Sequence, residues 1–343
     1  MLLEGIHLPI TTPFYPDGRL NLRKLEQNVE RYSRTPVAGL LVLGTSGEGS
    51  SLTDAEAGSV LTAAIGAAAS HKVMLANVGR NSVSATLELA AVAAEVEYDA
   101  VAVAAPALSL SRLETLTYFQ AVADRSLLPV VMLSEAGREL TVEMIAELAG
   151  HPAILGVIDH AAVGDRLAAM VEATREVSRE VTVTTVFAAA TGRMLKPQTT
   201  GGSFVSAESL GGGTAVVAAP AAPALKTRTK RVGFQILGGS TAGMLDALTS
   251  GAVGAVPRFG ACAPQACYEV FQAWKDDDLP LSAEKQERLR AVAAVMEGTE
   301  GIAAIKFGCD LNAYFGGLPR LPLLGPTGSE RTRIEQLMAA LHN

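Results

Sequence analysis

Gly39-Leu40-Leu41-Val42-Leu43-Gly44-Thr45-Ser46-Gly47-Glu48 reads as a strand, a turn and the approach to a helix. The run 39–43 is apolar without alternation, which suits a short strand covered on both faces rather than one half open to water. A hydroxyl pair between glycines follows, and residues 54–70 then carry a helical pattern. The same order of apolar run, loop and helix recurs along the chain. Strands are expected at 5–10, 39–43, 73–78, 100–104, 129–133, 154–158, 233–237 and 254–257. Helices are expected at 22–32, 54–70, 82–95, 113–123, 142–148, 165–176, 241–249 and 264–274. Eight alternations with continuously apolar strands predict an α/β fold closed as a parallel (β/α)8 barrel. An open doubly wound sheet would carry a glycine-rich phosphate turn after its first strand, where this chain has Thr11-Thr12-Pro13-Phe14.

Composition agrees. Hydrophobic residues make up 49% of the 343, but aromatics only 5%, so the core must come mainly from Ala, Val, Leu and Ile. A net charge of −7 argues against a nucleic-acid partner, which needs Lys and Arg in excess. The basic cluster 226–231 is short and is expected on an exposed strand edge or loop. No apolar run is long enough for a bilayer, and the N-terminus carries no basic-then-apolar signal segment, so no membrane partner and a cytoplasmic location are expected. Cys262, Cys267 and Cys309 fit neither a disulfide framework nor a zinc site, and no His/Asp/Glu spacing points to a metal.

Two segments depart from the alternation. Residues 282–297 and 302–314 read as further helices, with another at 329–342, so 279–343 is expected as a C-terminal helical extension to a barrel over 1–278. The other is an insertion before strand seven, at about 189–231. It is preceded by a β-like run, 181–187, and punctuated by Thr199-Thr200-Gly201-Gly202, Gly211-Gly212-Gly213 and the Ala/Pro stretch 218–224. Such a segment is a surface lobe, a lid or a mobile loop, and the sequence leaves these alternatives open.

In a barrel the loops at the C-terminal strand ends form the active-site face, which places Gly44–Glu48 at the mouth. Its hydroxyls and backbone N–H groups can face a carboxylate, or can simply satisfy a well-made turn.

Several ordered motifs resemble the dihydrodipicolinate synthase / N-acetylneuraminate lyase family. They are Pro9-Ile10-Thr11-Thr12-Pro13-Phe14 with Asp17-Gly18, and Gly44–Glu48 followed by Leu52-Thr53, similar to that family's GTTGE…LT. Gly79, Pro106, Leu128-Pro129, Gly137-Arg138, Gly156-Val157, Gly164-Asp165 and Leu318-Pro319-Arg320-Leu321-Pro322-Leu323 continue the series. The resemblance spans nearly the whole chain apart from the insertion. It implies a TIM barrel acting on pyruvate, with a strand-six lysine forming a Schiff base and a strand-five tyrosine relaying protons. It also implies no added cofactor and assembly as a homo-oligomer, dimer or tetramer. Carried over, Thr45 and Ser46 occupy the hydroxyl pair, Arg138 the arginine at the site entrance, and Gly238-Gly239-Ser240 the loop after strand seven.

The departures fall on the chemistry. Where the family has GIKE this chain has Gly156-Val157-Ile158-Asp159, so Ile158 stands in the lysine slot and cannot form an imine. Where the family has ILYN it has Val131-Met132-Leu133-Ser134, so Leu133 has no proton to relay. Pro106-Ala107-Leu108 also lacks the family's phenol. Lys72, Lys275 and Lys306 all read as lying away from the mouth. Asp159 and His160 form a candidate acid/base pair, against which stands a histidine bonded locally in a strand-to-helix loop. Glu135 and Arg138 read either as substrate contacts or as an ion pair. The expectation is a lyase-family barrel binding a small carboxylate of 2-oxo acid type through Thr45, Ser46, Arg138, Gly239 and Ser240, without Schiff-base chemistry. The alternative is a catalytically silent binding or regulatory barrel.

Overall fold

The computed structural model describes residues 1–196, 225–299, 301–339 and 341. Six strands, β1 (Gly5–Pro9), β2 (Gly39–Val42), β3 (Val73–Asn77), β4 (Ala100–Ala104), β5 (Val130–Ser134) and β6 (Ile154–Asp159), follow one another around a barrel. The helices α1 (Leu22–Ser33), α2 (Asp54–Ala67), α3 (Val83–Glu95), α4 (Arg112–Arg125), α5 (Val142–Ala149) and α6 (Gly164–Ala173) alternate with them. The chain then makes β7 (Arg179–Thr184), the short α7 (Gly192–Leu195) and β8 (Thr227–Val232) outside the barrel. Strands β9 (Gln235–Gly238) and β10 (Gly254–Ala255), with α8 (Met244–Thr249) and α9 (Pro264–Lys275), complete it. The order β1-β10-β9-β6-β5-β4-β3-β2 closes with every pair parallel. The expected (β/α)8 barrel is therefore the fold.

The strands read as unbroken apolar runs because each has two dry faces. Leu40, Met74, Val101, Val103, Met132, Val157 and Ile236 pack outward in the layer shared with the helices. Leu41, Leu75, Ala102, Val131, Leu133, Ile158, Leu237 and Val256 form a separate inner cluster, which includes Leu3. A bulge sets the phase of β6: Val130 pairs with Ile154 and Val131 with Gly156, so Leu155 is one residue extra. Gly156 then meets the β9 backbone so closely that a Cβ would lie 2.1 Å from Gln235 O.

Side-chain caps fix where the helices begin. Thr53 with Glu56, and Ser111 with Glu114, make reciprocal capping boxes at α2 and α4. Asn21, Ser82 and Thr141 cap α1, α3 and α5.

The arms of the insertion pair as an antiparallel ribbon, from Arg179 opposite Val232 to Thr184 opposite Thr227. Val181 and Val183 pack with Leu2. Arg179 Nη2 donates to Ala149 O at 2.7 Å and His151 O at 2.8 Å. Farther on, Thr191 Oγ1 donates to Ser70 O at 2.5 Å, and Arg193 donates to Lys72 O. These partners lie just before the strands begin, so the ribbon is fastened to the barrel end opposite the loops after the strands. The basic stretch 226–231 falls mostly on β8, where Lys230 pairs with Glu4 at 3.0 Å. Thr199-Thr200-Gly201-Gly202, Gly211-Gly212-Gly213 and the stretch 218–224 lie outside the described residues, as does His342.

The C-terminal helices are α10 (Leu279–Ala293), α11 (Gly301–Leu311) and α12 (Gly328–Met338), with a π-helical turn Ala294–Thr299 after the first. Helix α10 starts earlier than expected because Asp278 accepts from Leu281 N at 3.0 Å and Pro280 fits the first turn. Tyr32 of α1 stacks on Tyr314 at 4.3 Å between ring centroids, which ties this extension to the barrel.

Candidate functional site

The loop after β2 makes two sharp bends, with Leu43 at φ 62° and Glu48 at φ 53°. A Cβ on Gly49 would lie 2.1 Å from Leu43 O, so the second bend needs glycine there. The bends bury Ser46 and turn Thr45 outward. Thr45 Oγ1 donates to Glu135 Oε1 at 2.8 Å. From the loop after β5, Arg138 Nη2 donates to Glu135 Oε2 at 2.6 Å, while its Nη1 donates to Ala105 O at 3.2 Å. A hydroxyl from one βα loop and a guanidinium from another thus converge on one carboxylate. Of the two readings of Glu135 and Arg138, the ion pair is the one present.

Beneath this carboxylate the barrel is filled. Leu133 lies in register with Ile158, and Ile158 with Leu237. None of the three is more than 1% exposed. The space bounded by Leu41, Leu133, Ile158, Val256, Thr45, Glu135, His160 and Arg258 is about 10 Å³, room for a single water at most.

No lysine lines that space. Lys72 stands at the start of β3, at the opposite end, where its Nζ donates to Thr35 O at 2.6 Å and Val37 O at 2.7 Å. Burial there lowers its pKa to about 8. Lys306 reaches from α11 to Glu48, 2.5 Å away, with both side chains fully buried. Lys275 pairs with Glu4 at 2.5 Å.

Asp159 and His160 part company. Asp159 is wholly buried, accepts from Arg166 Nε at 3.2 Å and Nη2 at 2.5 Å, and caps Ala161 N at 2.7 Å. Its carboxylate belongs to the joint between β6 and α6. His160 faces the mouth, and burial pushes its imidazole below the ordinary value while neighbouring Glu135 pulls the other way. Gly239 backs the ring so closely that a Cβ there would lie 2.8 Å from it. Ser240 Oγ accepts from Gly243 N at 3.2 Å, within its own turn. The Gly239–Ser240 loop therefore supports His160, and neither residue lines the space at the mouth.

Arg258 and Glu297 were not among the expected residues. Arg258, directly after the last barrel strand, lines the mouth and donates through Nη2 to Glu297 O at 2.7 Å. Its Nε is buried without a hydrogen-bond partner among the described residues. Glu297 Oε1 accepts from Phe259 N at 2.7 Å and from Thr241 Oγ1. Arg258 was findable, because a charged residue after strand eight occupies a mouth loop. Glu297 comes from the π-helical turn beyond the barrel, and no local pattern announces it. Among the described residues no group of three or more His, Cys, Asp or Glu is placed to hold a metal ion, and no helix is long and apolar enough to cross a membrane.

The sequence pattern of the dihydrodipicolinate synthetase family matches residues 2–212. The chain belongs to this family. Its similarity to the 4-hydroxy-tetrahydrodipicolinate synthase of Xanthomonas axonopodis pv. citri is 35% identity over 176 residues, 50% of this chain and 58% of that enzyme. The match thus spans little more than half the length of that relative. A more distant match, to the 4-hydroxy-tetrahydrodipicolinate synthase of Gluconacetobacter diazotrophicus, is 23% identical and covers 98% of this chain and 96% of that one. Among solved structures, dihydrodipicolinate synthase DapA-2 from Bacillus anthracis superposes with a TM-score of 0.79 at 19% identity, covering all of both chains. YagE from E. coli K12, a prophage protein of the dihydrodipicolinic acid synthase family solved with pyruvate, gives 0.77 at 21% identity over 99% of both chains. The likenesses to solved structures show that the closed barrel with its C-terminal helices is a shared fold.

Proposed function

We propose that this member of the dihydrodipicolinate synthetase family binds a small carboxylate of 2-oxo acid type at the barrel mouth, on a lyase scaffold, without forming a Schiff base. The carrying observation is the pair of donors, Thr45 Oγ1 and Arg138 Nη2, that meet on one carboxylate directly above the sealed Ile158. The pyruvate bound by YagE supports the ligand class. Chemistry at such a site is noncovalent. His160, its pKa held down by burial, is neutral near pH 7 and can accept a proton from a ligand held by Thr45 and Arg138. The protein acts in the cytoplasm as a homo-oligomer, a dimer or tetramer.

One observation favours a second reading, a catalytically silent binding or regulatory barrel: the space beneath the donors is only about 10 Å³.

Borohydride reduction in the presence of pyruvate, read by intact mass, tests the noncovalent claim. No mass increment is expected, and a stable adduct on any lysine would overturn it. Ligand-observed NMR with pyruvate, sensitive to weak binding, separates the two readings. Signals lost on Arg138→Gln support the carboxylate site. Silence up to tens of millimolar, in this protein and with Glu135 removed, leaves the silent barrel.

A further inference from the structure

Glu135 holds the place where a ligand carboxylate would sit. Its two oxygens accept from the hydroxyl of Thr45 and the guanidinium of Arg138, at 2.8 and 2.6 Å. Both are charge-assisted bonds of the kind a bound acid would make. The Glu135 side chain is only 13% exposed, so little water competes for it. With it in place, the residues around it leave about 10 Å³. No other acidic side chain lines that space, whereas Arg258 presents a second guanidinium there whose Nε is buried without a hydrogen-bond partner among the described residues. The mouth is therefore built for one carboxylate and already contains one.

We propose that Glu135 is an intramolecular ligand of the mouth's carboxylate site, and that a small monocarboxylate binds by displacing it from Thr45 and Arg138. The inference rests on the reading of those two residues as a carboxylate site. A tethered carboxylate competes at an effective concentration on the order of millimolar or higher, so the free acid binds weakly until Glu135 swings out. Glu135 is carried by the turn Glu135–Arg138, which projects past the end of β5, so its side chain can leave without unpairing a barrel strand.

The test is titration of the full chain and of Glu135→Ala with acetate and with pyruvate, followed by ligand-observed NMR and thermal shift. Glu135→Ala removes the resident acid and leaves its two donors in place, so affinity for both probes is expected to rise about tenfold or more. The gain is expected to vanish when Arg138→Gln is added. Equal affinity in the parent and Glu135→Ala would overturn the inference while leaving the carboxylate site standing. Silence in both proteins would overturn the carboxylate site, and the inference with it. A gain that survives Arg138→Gln would place the ligand elsewhere and also overturn it. Should Glu135→Ala fail to fold, Glu135→Gln keeps the shape without the charge. A smaller gain is expected from it, and no gain would count against the inference.

Discussion

Leu133 on β5 lies directly across from Ile158 on β6, and both are closed to solvent inside the barrel. Truncating either should cost twice over, through lost transfer energy and through a cavity that rigid strands cannot collapse. Ile158→Ala is expected to lower unfolding stability by about 2–5 kcal/mol. Leu133→Ala should cost a similar amount. Because the two sites are neighbours, the double variant should depart from the sum of the singles. Urea denaturation measures all three, and a loss below about 1 kcal/mol for Ile158→Ala would mean the centre is not packed as described.

Lys306 and Glu48 present the opposite case, two charges withdrawn from water and paired at 2.5 Å. Removing one leaves the other stranded, so Lys306→Met is expected to cost about 3–5 kcal/mol. Glu48 also accepts from Arg320 N at 2.8 Å, so its loss would free the C-terminal segment as well. Lys306→Met combined with Glu48→Gln should recover part of the loss. Strictly additive single losses in a double-mutant cycle would contradict the pairing.

His7 predicts an acid limb in the stability profile. Burial lowers its pKa from 6.5 to about 4, opposed by its contact with Leu3 O at 3.0 Å. The unfolded chain takes up this proton near pH 6.5, whereas the folded chain resists it down to about 4. The stability is therefore whole above the unfolded value and drains away as pH falls between the two, by about 3 kcal/mol in all. His7→Gln should flatten that limb. Denaturation midpoints at pH 7 and pH 5 decide it, and an unchanged slope in the variant would sink the assignment.

Asp159 and His160, adjacent in sequence, should behave differently when changed. Asp159→Asn weakens a buried ion pair with Arg166 and is expected to cost about 3 kcal/mol of stability. His160→Gln touches a side chain facing the mouth and should cost no more than about 1 kcal/mol, while altering the pH dependence of carboxylate binding. Thermal melts and pyruvate titrations of the two variants should separate these effects. Unchanged stability with abolished binding in Asp159→Asn would return that residue to the site.

The barrel was legible because each strand advertised two dry faces and a helical pattern followed each loop. Ala100–Ala104 has the expected bounds. Residues 233–237 miss by two at the start, since Gly233 and Phe234 precede the pairing that begins at Gln235. Thr45, Arg138 and His160 were findable as loop residues after strands, and the structure brings all three around Glu135. What the sequence hid was direction. Nothing local distinguishes Asp159, turned back to Arg166, from His160, turned to the mouth. Glu297 holds Arg258 from a π-helical turn far along the chain, by a long-range packing that no short motif records.

The extra residue Leu155 makes the start of β6 tolerant of a lost codon. Side chains alternate along a regular strand, but here the bulge lets Leu155 and Ile158, three residues apart, both face the axis. Deleting Leu155 would leave Ile154 opposite Val130 and Gly156 opposite Val131, so Val157, Ile158 and Asp159 would keep the faces they have. One inward side chain would vanish from the floor of the barrel while the sealed centre above it stayed as it is.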